Sequence, residues 1–215
     1  QREVFRASRL LVATGRTPNS DGLGLEQIGV KLNAQNFILA DDHLATAVPG
    51  IFAAGDVIGE PMFVYSAAYE GALAAENALT GASRKRDYTA LPWVVFTDPQ
   101  VAGVGLDLVQ ATADGFDAEA VTLPLAQIPR AIAARDTRGF VQLIRDRKTD
   151  YLLGARILAP EGSELLMEAA LAIRHGITVR ELTTAFHPYL TLSEGIKLAA
   201  LSFGKDVAKL SCCAA

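Results

Sequence analysis

The sequence predicts an α/β fold class in two parts: an incomplete piece of a doubly wound α/β domain, then an α+β domain with an antiparallel sheet and helices. Short apolar runs at 9–13 and 51–54 end at glycine, as is typical of buried strands. In the later part, short apolar runs alternate with turn residues, which favours an antiparallel sheet. Within residues 163–175, the apolar side chains recur at helical spacing and form one stripe.

Length, charge and cysteine content restrict the class of protein. The chain has 215 residues, half of them hydrophobic, which suffices for one large or two medium domains. A net charge of −4 gives no reason to expect nucleic acid or an anionic membrane as a partner. No apolar run reaches the roughly 18 residues of a membrane span, and the start does not resemble a signal peptide. Two adjacent cysteines do not form a spaced disulfide framework, so we expect free thiols and a cytoplasmic location.

The first part, residues 1–82, is expected to be an incomplete domain. Its predicted strands lie at 9–13, 37–39 and 51–54, and a helix is expected from Val64 to about residue 79, with Gly81 as its stop. These strands are too few to form a buried parallel sheet, and no G-x-G-x-x-G motif opens a βαβ unit. The absence of a starting Met also favours a piece of a longer chain.

A charged linker at 83–87, expected to be solvated, leads into the second part, residues 88–211. Its strands are predicted at 93–96, 101–104, 140–144 and 152–158. Its helices are predicted at 163–175, with Ser163 as N-cap and Gly176 past the end, and at 179–184 and 193–203. The charged run 145–148 is expected to be a solvated hairpin turn.

Two short motifs point to a family when they are taken together. Residues 13–19 read ATGRTPN and residues 50–56 read GIFAAGD. In this order they resemble the flavin-dependent pyridine nucleotide–disulfide oxidoreductases. The resemblance implies that residues 1–82 end an FAD/NAD(P)-binding domain. Gly55 would let the backbone approach FAD, Asp56 would accept a hydrogen bond from a ribitol hydroxyl, and the helix starting near Val64 would aim its amides at the flavin.

The stretch 94–105, VVFTDPQVAGVG, resembles the start of the dimerisation domain in the same family. The resemblance implies that residues 88–211 form this domain and that the protein is a homodimer. A plain hairpin with an Asp-Pro turn would have the same pattern. The stretch therefore supports the family and carries no chemistry of its own.

Residues 186–194, FHPYLTLSE, are the most discriminating stretch. Disulfide reductases of the family have a related stretch, with a catalytic His-Pro and a Glu five residues after that His. When Thr191–Glu194 is matched to the family pattern, Tyr189 takes the position of the catalytic His, and Glu194 that of the orienting Glu. His187 then has a structural role. The alternative interpretation is that Tyr189 is a core aromatic residue and His187 a surface residue with a hydrogen-bond partner.

The chain ends in Cys212 and Cys213, within the tail 212–215. Together with Tyr189 this tail resembles the mercuric reductase branch of the family. Hg(II) is soft and favours thiolates, so an adjacent pair can chelate it and hand it on by thiolate exchange. The resemblance implies reduction of Hg(II), delivered with small thiols, to Hg(0) by NADPH and FAD. Both cofactors need an N-terminal part that this sequence lacks, so the chain alone is expected to be inactive.

Two other functions stay open at this stage. A disulfide reductase such as a dihydrolipoamide dehydrogenase would need a His at position 189 and no terminal cysteine pair. A non-enzymatic dimerisation or metal-scavenging module would be favoured if the native chain began at residue 1. His43 and His175 have no partners at metal-site spacing, so neither predicts a further metal site.

Overall fold

The computed structural model describes residues 3–206. They divide into two compact units, with the chain passing from one to the other between Asp87 and Tyr88. The mixture of strands and helices confirms the predicted α/β fold class. No helix in the described part of the chain has the length and apolar character needed to cross a membrane.

The first unit is built from turns around one long helix. A 3-10 helix at Gly55–Ile58 precedes helix α1, Val64–Thr80. Helix α1 ends as predicted, because Gly81 takes the left-handed conformation with φ 67° that glycine adopts without steric cost. Two small clusters of buried apolar side chains, around Val30 and Leu44, form its core.

The predicted strand at 9–13 is wrong for this structure. No strand is assigned there, and Leu10 and Leu11 are 87% and 88% exposed. A parallel strand forms only between neighbouring strands and under helices, and the first unit supplies neither at this point. The runs at 37–39 and 51–54 form single bridges instead of strands, Leu32 with Ile38 and Ala45 with Phe52.

The second unit is a five-stranded antiparallel sheet with helices. Its strands are β1 (Trp93–Val95), β2 (Gln100–Gly105), β3 (Ala118–Pro124), β4 (Phe140–Asp146) and β5 (Leu152–Ala159). Their order across the sheet is β1-β2-β5-β4-β3, and every neighbouring pair is antiparallel. This confirms the four predicted strands and adds β3 at one edge.

Five helices accompany the sheet in the part of the second unit that the structure describes. They are α2 (Leu108–Ala113), α3 (Pro129–Ala134), α4 (Leu166–Arg174), α5 (Val179–Thr184) and α6 (Glu194–Leu201). Apolar residues of α4 and α6 join those of the strands in one large core, in which Leu166, Ile196 and Ala199 are almost wholly buried. The predicted Ser163 cap is wrong, because residues Gly162–Leu165 form a 3-10 turn and α4 starts at Leu166.

Two charged segments that were expected to be solvated are held by specific contacts. In the linker, the Arg84 amide and carbonyl both hydrogen-bond to the Asn77 side chain. In the hairpin, Arg145 pairs with Glu119 at 2.8 Å and with Asp150 at 2.9 Å. Arg145 is therefore a structural contact of its unit. The side chains of Arg84, Arg147 and Lys148 are exposed, as the prediction of solvated segments expects.

Candidate functional site

The Gly55 turn is fixed to helix α1 in a way that requires glycine. Gly55 has φ 79°, and its amide donates to the Glu70 Oε2 atom at 2.6 Å. Glu70 is on α1 and is 1% exposed. A β-carbon at position 55 would lie 3.1 Å from that of Ala67, so the turn and the helix approach as closely as a glycine allows.

Asp56 is joined to the earlier motif by Arg16. The Arg16 Nη1 atom lies 3.0 Å from Asp56 Oδ2 and also donates to the Met62 carbonyl at 3.2 Å. The structure thus brings together two motifs separated by 40 residues in the chain. Sequence reasoning missed Arg16 as a site residue, although it lies inside the motif 13–19; its pairing is a long-range contact that the local pattern does not encode.

The N-terminal end of α1 lies at the same turn. The N-cap residue is Phe63, whose side chain has no hydrogen-bond acceptor for the helix amides. Val64, the first residue of the helix, is 89% exposed. A helix of 17 residues carries partial positive charge at such an end, which favours an electron-rich group there. The Ser66 hydroxyl donates to the Pro61 carbonyl at 2.7 Å and so stabilises the approach of the chain to the helix.

An open cavity of about 550 Å³ lies beside Arg16 and Asp56. It is lined by residues 15–19 of the first motif, by Asp56 of the second, and by Phe37, Val57 and Met62. A carboxylate acceptor, a glycine at the closest approach and an uncapped helix end suit a flavin, which combines a hydroxyl-bearing chain with a ring that gathers negative charge. The residues present therefore fit the group that the motifs predict.

Tyr189 lies on an exposed turn of the second unit. The segment 185–193 links α5 to α6, and Tyr189 is 61% exposed. Its hydroxyl makes no hydrogen bond to any described residue, so it is not the buried core aromatic of the alternative interpretation. The following residue, Leu190, has φ 65°, and Thr191 Oγ1 donates to the Pro188 carbonyl at 2.8 Å.

Glu194 is the first residue of α6 and is 7% exposed. Its amide donates to Thr191 Oγ1 at 3.3 Å. Among the described residues its Oε2 atom is buried without a hydrogen-bond partner. Within the described residues, the predicted pairing of Glu194 with the residue at position 189 is therefore not formed.

His187 has the structural position expected for it. Its side chain is 5% exposed, and Nε2 lies 2.7 Å from Glu168 Oε1 on α4. Its Nδ1 atom lies 3.2 Å from the Ala185 carbonyl. No sequence pattern pointed to Glu168, which lies 19 residues before the histidine.

The two cysteines, Cys212 and Cys213, lie outside the described residues. Within residues 3–206, no group of three or more His, Cys, Asp and Glu side chains is arranged to hold a metal ion.

Family models match both parts of the chain. The model described as "Pyridine nucleotide-disulphide oxidoreductase, dimerisation domain" matches residues 91–200. The model described as "Pyridine nucleotide-disulphide oxidoreductase" matches residues 1–71. The first match covers the antiparallel sheet and helices of the second unit, and the second covers the Arg16–Asp56 site.

Curated relatives match over almost the whole chain. The mercuric reductase of Streptomyces lividans is 51% identical over 99% of this chain, and that of Staphylococcus aureus is 46% identical over all of it. The mercuric reductase of Acidithiobacillus ferrooxidans is 50% identical over 98% of this chain. The chain spans 45%, 39% and 38% of these three proteins, respectively.

Solved structures share the fold at lower identity. LpdA from Mycobacterium tuberculosis is 33% identical, with a TM-score of 0.80 over 88% of this chain and 41% of its own. The HOCl-induced flavoprotein disulfide reductase RclA from Escherichia coli is 31% identical, with a TM-score of 0.82 over 90% of this chain and 44% of its own.

Proposed function

The chain belongs to the pyridine nucleotide-disulphide oxidoreductase family, whose members use a flavin and a nicotinamide nucleotide, and on this premise we propose that it is the carboxyl-terminal part of a mercuric reductase. The whole enzyme would reduce Hg(II) to Hg(0) with NADPH and FAD. The observation that carries the proposal is the exposed Tyr189. The resemblance of residues 186–194 to the family pattern aligns it with the catalytic histidine of the disulfide reductases. The identity of 44–51% to mercuric reductases supports it.

The cysteines and the tyrosine would bind the metal at different steps. Cys212 and Cys213 would bind Hg(II) as thiolates, because the ion is soft, and would release it one sulfur at a time by exchange. Tyr189 would hold the ion at the receiving site in the partner subunit, offering a hydroxyl oxygen where a disulfide reductase has an imidazole. Glu194 would fix the start of α6 beneath this turn. Reduction of Hg(II) to Hg(0) would take two electrons, which NADPH would supply when bound, giving NADP⁺ and a proton.

The first unit would supply one side of the flavin site. Gly55 would allow close approach, Asp56 would accept from a ribitol hydroxyl, and the amides at Val64 would face the ring. Bound FAD would carry electrons from the nicotinamide towards the metal. Arg16 pairs with Asp56 at 3.0 Å and would set the orientation of the carboxylate that meets the hydroxyl.

We assign three segments to this enzyme. Residues 1–82 would complete the FAD/NAD(P)-binding domain, residues 88–211 would form the dimerisation domain, and residues 212–215 would be the metal-binding tail. The partners would be a second copy of the chain, Hg(II) and small thiols. The compact units and the family matches support the first two assignments.

The tyrosine is tested in the full-length enzyme by Tyr189→Phe, with Tyr151→Phe as the control because Tyr151 is also exposed. Turnover should slow by about tenfold or more, since a hydrogen bond or ligand to a charged species is worth about 1.5–3 kcal/mol. Flavin content and dimer mass should not change. The measurement is NADPH oxidation driven by Hg(II); equal rates for both variants would remove Tyr189 from the mechanism.

The cysteine pair is tested by replacing Cys212 and Cys213 together with Ala. Two adjacent thiols raise the effective concentration for the second bond, so the loss should be large when Hg(II) arrives bound to excess competing thiol and small without it. Ser211→Ala is the matched control. Unchanged kinetics of the double variant in excess thiol would exclude the tail from metal transfer.

The second candidate function is a disulfide reductase. The fold likeness to RclA, itself named a flavoprotein disulfide reductase, favours it. The two candidates separate in one comparison: a mercuric reductase oxidises NADPH with Hg(II) and only slowly with small disulfides, and a disulfide reductase does the reverse. A dominant disulfide activity would overturn the first proposal.

A further inference from the structure

We propose that the His187–Glu168 pair is a positioning device for Tyr189, through which helix α4 sets how the tyrosine hydroxyl meets the metal. The inference rests on the function proposed above, because it gives Tyr189 a role. In this proposal His187 and Glu168 position the tyrosine and do not themselves contact the metal. The pair is separate from Glu194, which lies at the other end of the segment.

The segment that carries Tyr189 has little regular structure to hold it. Helix α5 ends at Thr184 and α6 begins at Glu194. Phe186 is fully exposed and Tyr189 is 61% exposed. His187 is the exception between residues 184 and 190, since its side chain is only 5% exposed. The backbone beside the tyrosine is therefore attached to the unit through the histidine ring.

Both ring nitrogens of His187 face oxygen acceptors. The Glu168 carboxylate lies 2.7 Å from Nε2, and the Ala185 carbonyl lies 3.2 Å from Nδ1. With a proton on Nε2, the ring donates to the Glu168 carboxylate. Charge-assisted hydrogen bonds of this kind are short and strong, so the contact restrains the segment more than a neutral bond would.

Glu168 is a rigid partner for the histidine. It lies in the first turn of α4, between Leu166 and Ala169, which are 1% and 0% exposed and belong to the main core. A carboxylate on so well packed a helix has little freedom to follow a moving loop. The histidine therefore takes its position from the core of the second unit.

The other side of the tyrosine is also restrained. Thr191 Oγ1 donates to the Pro188 carbonyl at 2.8 Å, which closes a short turn around Tyr189 and Leu190. Leu190 is held at φ 65°, a conformation that is unfavourable for a non-glycine residue and persists only when neighbouring contacts enforce it. With His187 fixed on one side and Thr191 on the other, Tyr189 has a defined backbone direction.

The test uses the full-length holoenzyme with His187→Gln and, separately, Glu168→Gln. Each should lower kcat for Hg(II) by about tenfold, because small displacements of a positioned group cost one to two orders of magnitude in rate. In a Tyr189→Phe background the same substitutions should change kcat by less than about twofold, since they act through the hydroxyl that is already absent. His175→Gln and Glu164→Gln, on neighbouring exposed sites, are the matched controls and should leave kcat unchanged.

A spectroscopic measurement reports directly on the environment of the Tyr189 ring. With 3-fluorotyrosine at position 189, the fluorine resonance should shift or broaden in His187→Gln and Glu168→Gln and stay in place in His175→Gln. If His187→Gln does not fold, Glu168→Gln carries the test, because Glu168 lies outside the segment. An unmoved resonance, with equal losses of kcat in the parental and Tyr189→Phe backgrounds, would show that the pair only stabilises the fold.

The two proposals fail in different ways. If Tyr189→Phe keeps the parental rate with Hg(II), the proposed role of the tyrosine in turnover is excluded. The results for the His187 variant do not change that conclusion. The fluorine resonance then decides the positioning claim alone: a shift in both variants upholds it, and no shift overturns it.

Discussion

At the scale of single residues, the candidate site of the first unit depends on contacts between residues distant in sequence. Gly55 is held by Glu70, and Asp56 is held by Arg16. The glycine itself was predictable, because the motif 50–56 ends a strand-like run at a Gly-Asp pair. Glu70 and Arg16 were not, because their partners lie 15 and 40 residues away and a local pattern cannot encode such pairings.

Gly55→Ala should destabilise the chain by about 2 kcal/mol or more, through the cost of a β-carbon at φ 79° and its 3.1 Å approach to Ala67. Gly71→Ala is the matched control, since Gly71 is a helical residue of α1 with open space around it. Helix propensity predicts that this control is neutral or more stable by up to about 1 kcal/mol. Urea unfolding of the two variants measures the difference; equal midpoints would contradict the close packing.

At the scale of elements, the hairpin between β4 and β5 is fixed by Asp146. The Thr149 hydroxyl, at 2.8 Å, and the amides of Lys148 and Thr149 hold the pKa of the Asp146 carboxyl below its ordinary value, although burial acts in the opposite direction. A carboxyl with a lowered pKa in the folded state stabilises the fold above its unfolded pKa of about 3.9. This contribution is lost as the pH falls through the folded pKa.

Asp146→Asn should therefore lower the free energy of unfolding at neutral pH. The difference from the parent should shrink as the pH falls below about 4, because protonation removes the same contribution from the parent. Asp114→Asn is the control, since the Asp114 side chain makes no hydrogen bond within the described part of the chain. The measurement is urea unfolding across this pH range; a difference that grows towards acid would show the opposite sign.

Elements with a complete local signal were predictable from the sequence. Helix α1 has its Gly81 stop, and β2, β4 and β5 are apolar runs bounded by turn residues. The edge strand β3 was missed, as were α2 and α3, which have six residues each and so make fewer than two helical turns. Helix α5, equally short, was predicted at 179–184. The run 9–13 has the strongest strand signal of the first part and forms none, since a strand needs neighbours as well as a pattern.

At the scale of the whole molecule, the second unit should bring two chains together. A chain starting at Tyr88 should sediment as a dimer at micromolar concentration, since stable dimers of this kind typically bury over about 2,000 Å² of largely apolar surface. Phe186, fully exposed beside the turn proposed to act in the partner subunit, should lie in this interface.

Phe186→Asp should then weaken the dimer, and Val109→Asp, an equally apolar exposed position on α2, should not. Sedimentation at several concentrations separates the two. A clean monomer for the chain from Tyr88 would contradict the assignment of this unit as a dimerisation domain.

The strand order β1-β2-β5-β4-β3 has a consequence for how the chain folds while the ribosome synthesises it. Strand β5 is last in the chain and central in the sheet, so β1 and β2 on one side and β3 and β4 on the other have no common neighbour until Ala159 has emerged. The nascent chain therefore carries two partial sheets with open edges during synthesis, and the late central strand closes both in one event.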